Sequence, residues 1–133
     1  MCSLETEQYF QSCFIHLLTI FHFFQNAKDH GATGLLIEYE DMFPFEGMLK
    51  DVAAVNHYNK SDIYNILIKS KELGLEVIPL VQTFGHMEFI LKHGQFAHLR
   101  DSAEMPESIC PCHQQTMSLI GMIKPYSINS FLY

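Results

Sequence analysis

Apolar and polar positions follow two different rhythms along this chain. Between residues 10 and 24, Phe10, Phe14, Leu17, Phe21 and Phe24 recur at three- and four-residue steps, the spacing of one face of an amphipathic helix. The pattern predicts a helix ending near His30, with Gly31 as its left-handed cap. Residues 34–41, GLLIEYED, change the period. Alternation puts Leu36, Glu38 and Glu40 on one strand face and Leu35, Ile37 and Tyr39 on the other, with the carboxylates gathered at the end. A second apolar run, 77–81, stops at Gln82 and Thr83, with Gly85 and His86 just beyond. Glycine-bounded runs of this length read as strands buried on both faces. Pro79 argues against that reading, because a proline in a central strand withdraws a ladder donor.

Between the two strands, Ile63, Ile66, Leu67, Ser70 and Leu73 share one helical face and Asn65, Lys69 and Glu72 the other. Ser61-Asp62 is the expected cap of this helix and Gly74 its end. A further helical pattern opens at Met87 and extends toward Arg100, residues 105–111 read as loop, and 114–124 form a last helix stopped by Pro125. The tail, 126–133, has no assignable pattern. Helix, strand, loop, helix, strand, helix in that order predicts an α/β fold of parallel βα units joined by a crossover. Two strands cannot close a barrel, and a two-stranded parallel sheet is a poor independent core. The chain is therefore expected to be part of something larger.

The chain has 133 residues, one domain's worth of material, with 48% hydrophobic and 17% charged residues, which excludes a disordered tail. The net charge of -7, with eight Lys and Arg scattered singly, offers no basic stripe for a phosphate backbone, so nucleic acid is not expected as a partner. The apolar segment at 10–24 is preceded by Glu5 and Glu7 and by no Lys or Arg. It is also shorter than the ~20 residues a spanning helix needs, so neither an export signal nor a membrane anchor is expected. Four cysteines, Cys2, Cys13, Cys110 and Cys112, suggest no disulfide framework, and a reducing, cytoplasmic or nucleocytoplasmic location is expected. Cys110, Cys112 and His113 do not have the spacing of a zinc knuckle, and no metal is expected.

The chemistry concentrates where the strands end. A helix-covered sheet face cannot cheaply bury two carboxylates, so Glu38 and Glu40, with Asp41, either form a solvated strand end or point into a polar mouth. The same parity brings Gln82 to that rim, with His86 beyond. Phe43 and Phe45, in a loop rich in apolar residues, either pack on the mouth or stack on a ligand. Taken without any relative, Glu38, Glu40, Asp41 and His86 could also serve as a metal or acid/base site of some other α/β hydrolase.

Two long motifs bear on these readings. GATGLLIEYEDMFPFEG at 31–47 and EVIPLVQTFGHMEF at 76–89, in that order and at that distance, resemble a divergent branch of the family-20 glycoside hydrolases, the β-N-acetylhexosaminidases. The resemblance covers about 23–123 and implies a (β/α)8 barrel, here partial and incomplete. It divides the chain into an apolar leader at 1–22, a partial barrel at 23–124 and an unassigned tail at 125–133. It also implies retaining hydrolysis of terminal N-acetylgalactosamine or N-acetylglucosamine, with the substrate's acetamido oxygen as nucleophile and no metal or organic cofactor. An adjacent Asp-Glu pair orients the acetamido group and protonates the leaving oxygen.

In the wider family the second of these strands ends in an Asp followed by Pro-Gly-His. Here Gln82 stands at the Asp position and Phe84 at the Pro, while Gly85 and His86 agree; the glutamine belongs to the divergent branch's own pattern. Glu38, Glu40, Asp41, Gln82 and His86 are thereby the expected substrate-binding residues. No adjacent Asp-Glu pair occurs in this sequence, and Glu40-Asp41 is the reverse order. Since such a barrel takes roughly 250 residues, a truncated chain without catalytic residues of its own is expected, inactive alone or associating with the full-length enzyme.

Overall fold

The computed structural model describes residues 4–129, with side chains for 17–124. The chain opens with α1 (Leu4–Asp29), then β1 (Gly34–Ile37), two 3-10 turns (Glu40–Met42 and Gly47–Val52), α2 (Lys60–Glu72) and β2 (Glu76–Pro79). There follow α3 (Glu88–Leu91), a third 3-10 turn (Gly94–Leu99), β3 (Arg100–Ser102), β4 (Met105–Ile109) and α4 (Thr116–Asn129). Helices and strands are mixed, β1 and β2 pair in parallel, and the described residues form no closed barrel.

Helix α1 ends where the sequence places its stop. Gly31 and Gly74 follow α1 and α2 with φ of 90° and 64°, a left-handed geometry open to glycine without steric cost. Leu17 and Phe24 of the expected apolar face are buried, with Phe21 partly buried beside them, while the side chains of Phe10 and Phe14 lie outside the described residues. These residues pack on Ile66 of α2 and on Leu35 and Ile37 of β1, so α1 and α2 cover the same face of the parallel pair. A bond from Lys28 Nζ to the Gly74 carbonyl, 3.4 Å, ties their carboxyl ends together.

The register pairs Leu36 with Ile78 and Ile37 with Pro79. Amides of Glu76 and Leu80 donate to the Thr33 and Ile37 carbonyls at 3.0 and 2.9 Å. Alternation therefore turns the Pro79 nitrogen toward the opposite edge, where its missing hydrogen removes nothing from the β1 ladder. That resolves the conflict between the proline and the strand.

Several expectations need correction. β1 ends at Ile37, four residues before Asp41, because the chain turns at Glu40 into a 3-10 segment. Helix α2 is capped by Asn59, not by Ser61-Asp62. The Asn59 side chain accepts from the Asp62 amide at 2.9 Å and the Asp62 carboxylate accepts from the Asn59 amide at 2.8 Å, a reciprocal capping box. Residues 105–111 do not form a loop throughout, since β3 and β4 pair antiparallel. The helical pattern after Met87 breaks into α3 and a 3-10 turn. Pro125 does not end α4, which continues to Asn129. A proline withdraws one intrahelical donor and leaves its neighbours' bonds available, and the preceding turns are anchored by buried Leu119 and Ile123.

A second core lies beyond the strand ends. Met87, Ile90 and Leu91 are fully buried there with Leu49, Val52, Leu99 and Ile109. The hairpin holds α3 in place: the Met87 amide donates to the Glu107 carbonyl at 2.9 Å, and Arg100 donates twice to the Leu91 carbonyl, at 2.9 and 2.7 Å. The site-bearing loops thus rest on a buried, hydrogen-bonded platform.

Candidate functional site

A small cleft opens between the carboxyl ends of β1 and β2, the end of a parallel sheet at which ligands are handled in α/β folds. Glu38, Glu40 and Gln82 stand on its rim, and Tyr39, Phe43, Phe45 and Phe89 line it. The aromatic lining is a packed stack: Tyr39 meets Phe43 edge-on at 5.8 Å between centroids, Phe43 lies 5.2 Å from Phe45, and Phe45 stacks on Phe89 at 6.4 Å. Phe43 and Phe45 are each 6% exposed, which settles their alternatives in favour of packing. The cleft encloses ≈ 20 Å³, room for about one water.

One rim residue and one residue near it are held in a costly backbone conformation. Glu40 and His86 have φ of 47° and 53°, the left-handed region that side chains other than glycine rarely adopt. Glu40 follows the end of β1 and His86 follows the end of β2, so both strained turns sit at the same end of the sheet. The Glu40 carboxyl is pushed above the usual glutamate range, first by partial desolvation and then by the negative charges of Glu38, Asp41 and Glu88, while His86 pulls it back. Burial raises the Tyr39 phenol far above its ordinary value, and Tyr58 adds to this.

Glu38, Glu40 and Gln82 therefore share the cleft, and His86 stands close enough to act on Glu40. Asp41 is differently placed: its carboxylate is bonded to Lys92 Nζ at 2.5 Å. Two residues were missed from the sequence, Glu88 and Lys92. Their signal was present but weak, as polar residues flanking the buried Phe89-Ile90-Leu91 run immediately after the Gly85-His86 motif. Cys110 and Cys112 carry free thiols, and among the described residues no group of three or more His, Cys, Asp or Glu is arranged to hold a metal ion. No helix among them is long and apolar enough to cross a membrane.

Part of the chain is closely similar to known proteins. Over 91 residues the chain is 54% identical to hexosaminidase D of Homo sapiens, and over 90 residues it is 52% identical to hexosaminidase D of Bos taurus. The chain is hexosaminidase D-like. Identity at this level extends over 68% of the chain and is a similarity to part of hexosaminidase D. No family model matches the chain. The matched segment spans only 19% of the human hexosaminidase D and 26% of the bovine one, about a fifth to a quarter of their length.

Proposed function

We propose that this chain supplies one wall of the sugar-binding mouth of a β-N-acetylhexosaminidase-type glycoside hydrolase, an enzyme removing terminal N-acetylhexosamine from glycoconjugates. The observation that carries the reading is the convergence of Glu38, Glu40, Gln82 and His86 at the carboxyl ends of two paired parallel strands. In this reading β1 and β2 are neighbouring strands of a (β/α)8 barrel, and Glu38, Glu40 and Gln82 accept or donate hydrogen bonds to sugar hydroxyls. A cleft of ≈ 20 Å³ is smaller than the usual ligand pocket, so in this reading it is one edge of a larger sugar site.

Hydrolysis of this kind needs a proton donor at the glycosidic oxygen, worth about 10²- to 10⁴-fold in rate, and the adjacent Asp-Glu pair expected for that role does not occur in the sequence. Asp41 belongs to the same expected set, with its Oδ2 bonded to Lys92 and its second oxygen left to accept from the sugar. The purified chain is expected to release nothing from an aryl N-acetylhexosaminide, and clear release would refute this part. Titration with N-acetylgalactosamine or N-acetylglucosamine, followed by amide chemical shifts, tests the other part. Perturbations confined to Glu38, Glu40, Asp41, Gln82 and His86 support the reading, whereas perturbations elsewhere or none at saturating sugar overturn it.

A second reading, a non-catalytic partner of the complete enzyme, is favoured by one observation. Leu36 and Ile78 lie side by side on the uncovered sheet face, 64% and 50% exposed. Co-purification with a full-length hexosaminidase D would support it, and a monomer indifferent to that enzyme would count against it.

A further inference from the structure

The 2.5 Å ion pair between Lys92 and Asp41 joins residues 51 apart in sequence, across the two segments that carry the rim. Lys92 terminates α3, whose first residue, Glu88, is one of the carboxylates acting on Glu40. Asp41 is the residue next to Glu40 in the first 3-10 turn, and that turn packs against α3. The two partners differ in how firmly they are founded. On the Lys92 side, Phe89, Ile90 and Leu91 are buried and Arg100 holds the Leu91 carbonyl. On the Asp41 side the backbone is tied to the following loop, with the Ala54 amide donating to the Asp41 carbonyl at 2.8 Å, while its side chain reaches to Lys92. A left-handed residue such as Glu40 persists only where its surroundings over-determine it.

We propose that Lys92 is a positioning residue of this site: by holding the Asp41 carboxylate on α3 it fixes where Glu40 stands relative to Glu88 and His86. The proposal rests on the reading of this cleft as a sugar-binding rim. Lys92 engages Oδ2 of Asp41 and offsets its charge beside Glu40. The charged groups around Glu40 are then Glu38 on the same segment, the Asp41–Lys92 pair, Glu88 on α3 and His86 in the loop before it. Without Lys92 the Asp41 carboxylate becomes an uncompensated negative neighbour, which disfavours ionisation of Glu40.

The test is the titration of the Glu40 side-chain carboxyl carbon by NMR, in the chain without sugar, so its result is independent of whether sugar binds. Lys92→Met is expected to raise the Glu40 midpoint, Lys92→Arg to leave it near the wild-type position, and Asp41→Asn combined with Lys92→Met to bring it back down. A merely structural tether would change unfolding midpoints without this pattern of return. An unchanged Glu40 midpoint in folded Lys92→Met overturns the proposal. If Lys92→Met does not fold, the exchanged pair Asp41→Lys with Lys92→Asp decides. A lowered Glu40 midpoint supports the clamp, and an unmoved midpoint or an unfolded chain overturns it.

Discussion

Leu36 and Ile78 face each other across the parallel β1–β2 pair and both turn away from the packed helices, whereas Leu35 on the alternate face packs with Leu17, Phe24 and Ile66. One side of the sheet is core and the other is open. Replacing Leu36 or Ile78 by Thr is expected to change the unfolding free energy of this chain by less than ~0.5 kcal/mol, as for exposed positions generally. Ile66→Ala, by contrast, empties a site 1% exposed and should cost about 2–5 kcal/mol. Urea denaturation of the three variants checks the contrast, and a large loss at Leu36 would mean that this face is covered.

The capping box locates the start of α2 at Asn59 rather than two residues later. Asn59→Ala should destabilise the chain by about 1 kcal/mol. Ser61, exposed and bonded only to the cap's own side-chain oxygen among its side-chain contacts, should lose much less on substitution by Ala. Equal losses at the two positions would contradict the assignment of the cap.

Glu40 gives stability a pH dependence whose sign follows from the direction of its shift. Its folded carboxyl stands above the ordinary value because desolvation and Glu38, Asp41 and Glu88 outweigh His86. Between the unfolded and the raised folded value the folded chain binds more protons, so this group's contribution falls as pH rises through that window. Below the window the contribution is fully present, the opposite of a carboxylate in an ion pair. Glu40→Gln removes the dependence, so the difference in urea midpoint between variant and wild type should move in the variant's favour from acidic to neutral pH. A difference flat across that range would show that Glu40 is unperturbed.

Pro79 and Leu80 predict a hydrogen-exchange pattern. The Leu80 amide donates to the Ile37 carbonyl and should be protected. In Pro79→Ala the new amide at 79 points away from β1 and should exchange faster than Leu80. Comparable protection at both positions would place another chain segment along the outer edge of β2.

Much of this arrangement was legible before any coordinates. The helix at the start, its glycine stop, the two parallel strands and the parity that separates Leu36 and Glu38 from Leu35 and Ile37 all follow from local periodicity, which the backbone obeys whenever one face is buried. The β3–β4 hairpin was not legible, because Arg100 to Ile109 alternates weakly and holds Pro106, and its pairing is stabilised by contacts to α3 that lie elsewhere in the sequence. Asn59 as the cap was hidden by Ser61 and Asp62, which have equally good capping chemistry at a competing position.

The sequence by itself determined which residue types gather at the strand ends, since motif order and period need no distant information. Only the tertiary structure decided their placement. Glu40 and His86 take left-handed backbone, burial commits Phe43 and Phe45 to packing, and Lys92 engages Asp41. The physical reason is range: periodicity encodes neighbours within a few residues, whereas an ion pair spanning 51 positions exists only once two separate loops have been packed on one platform.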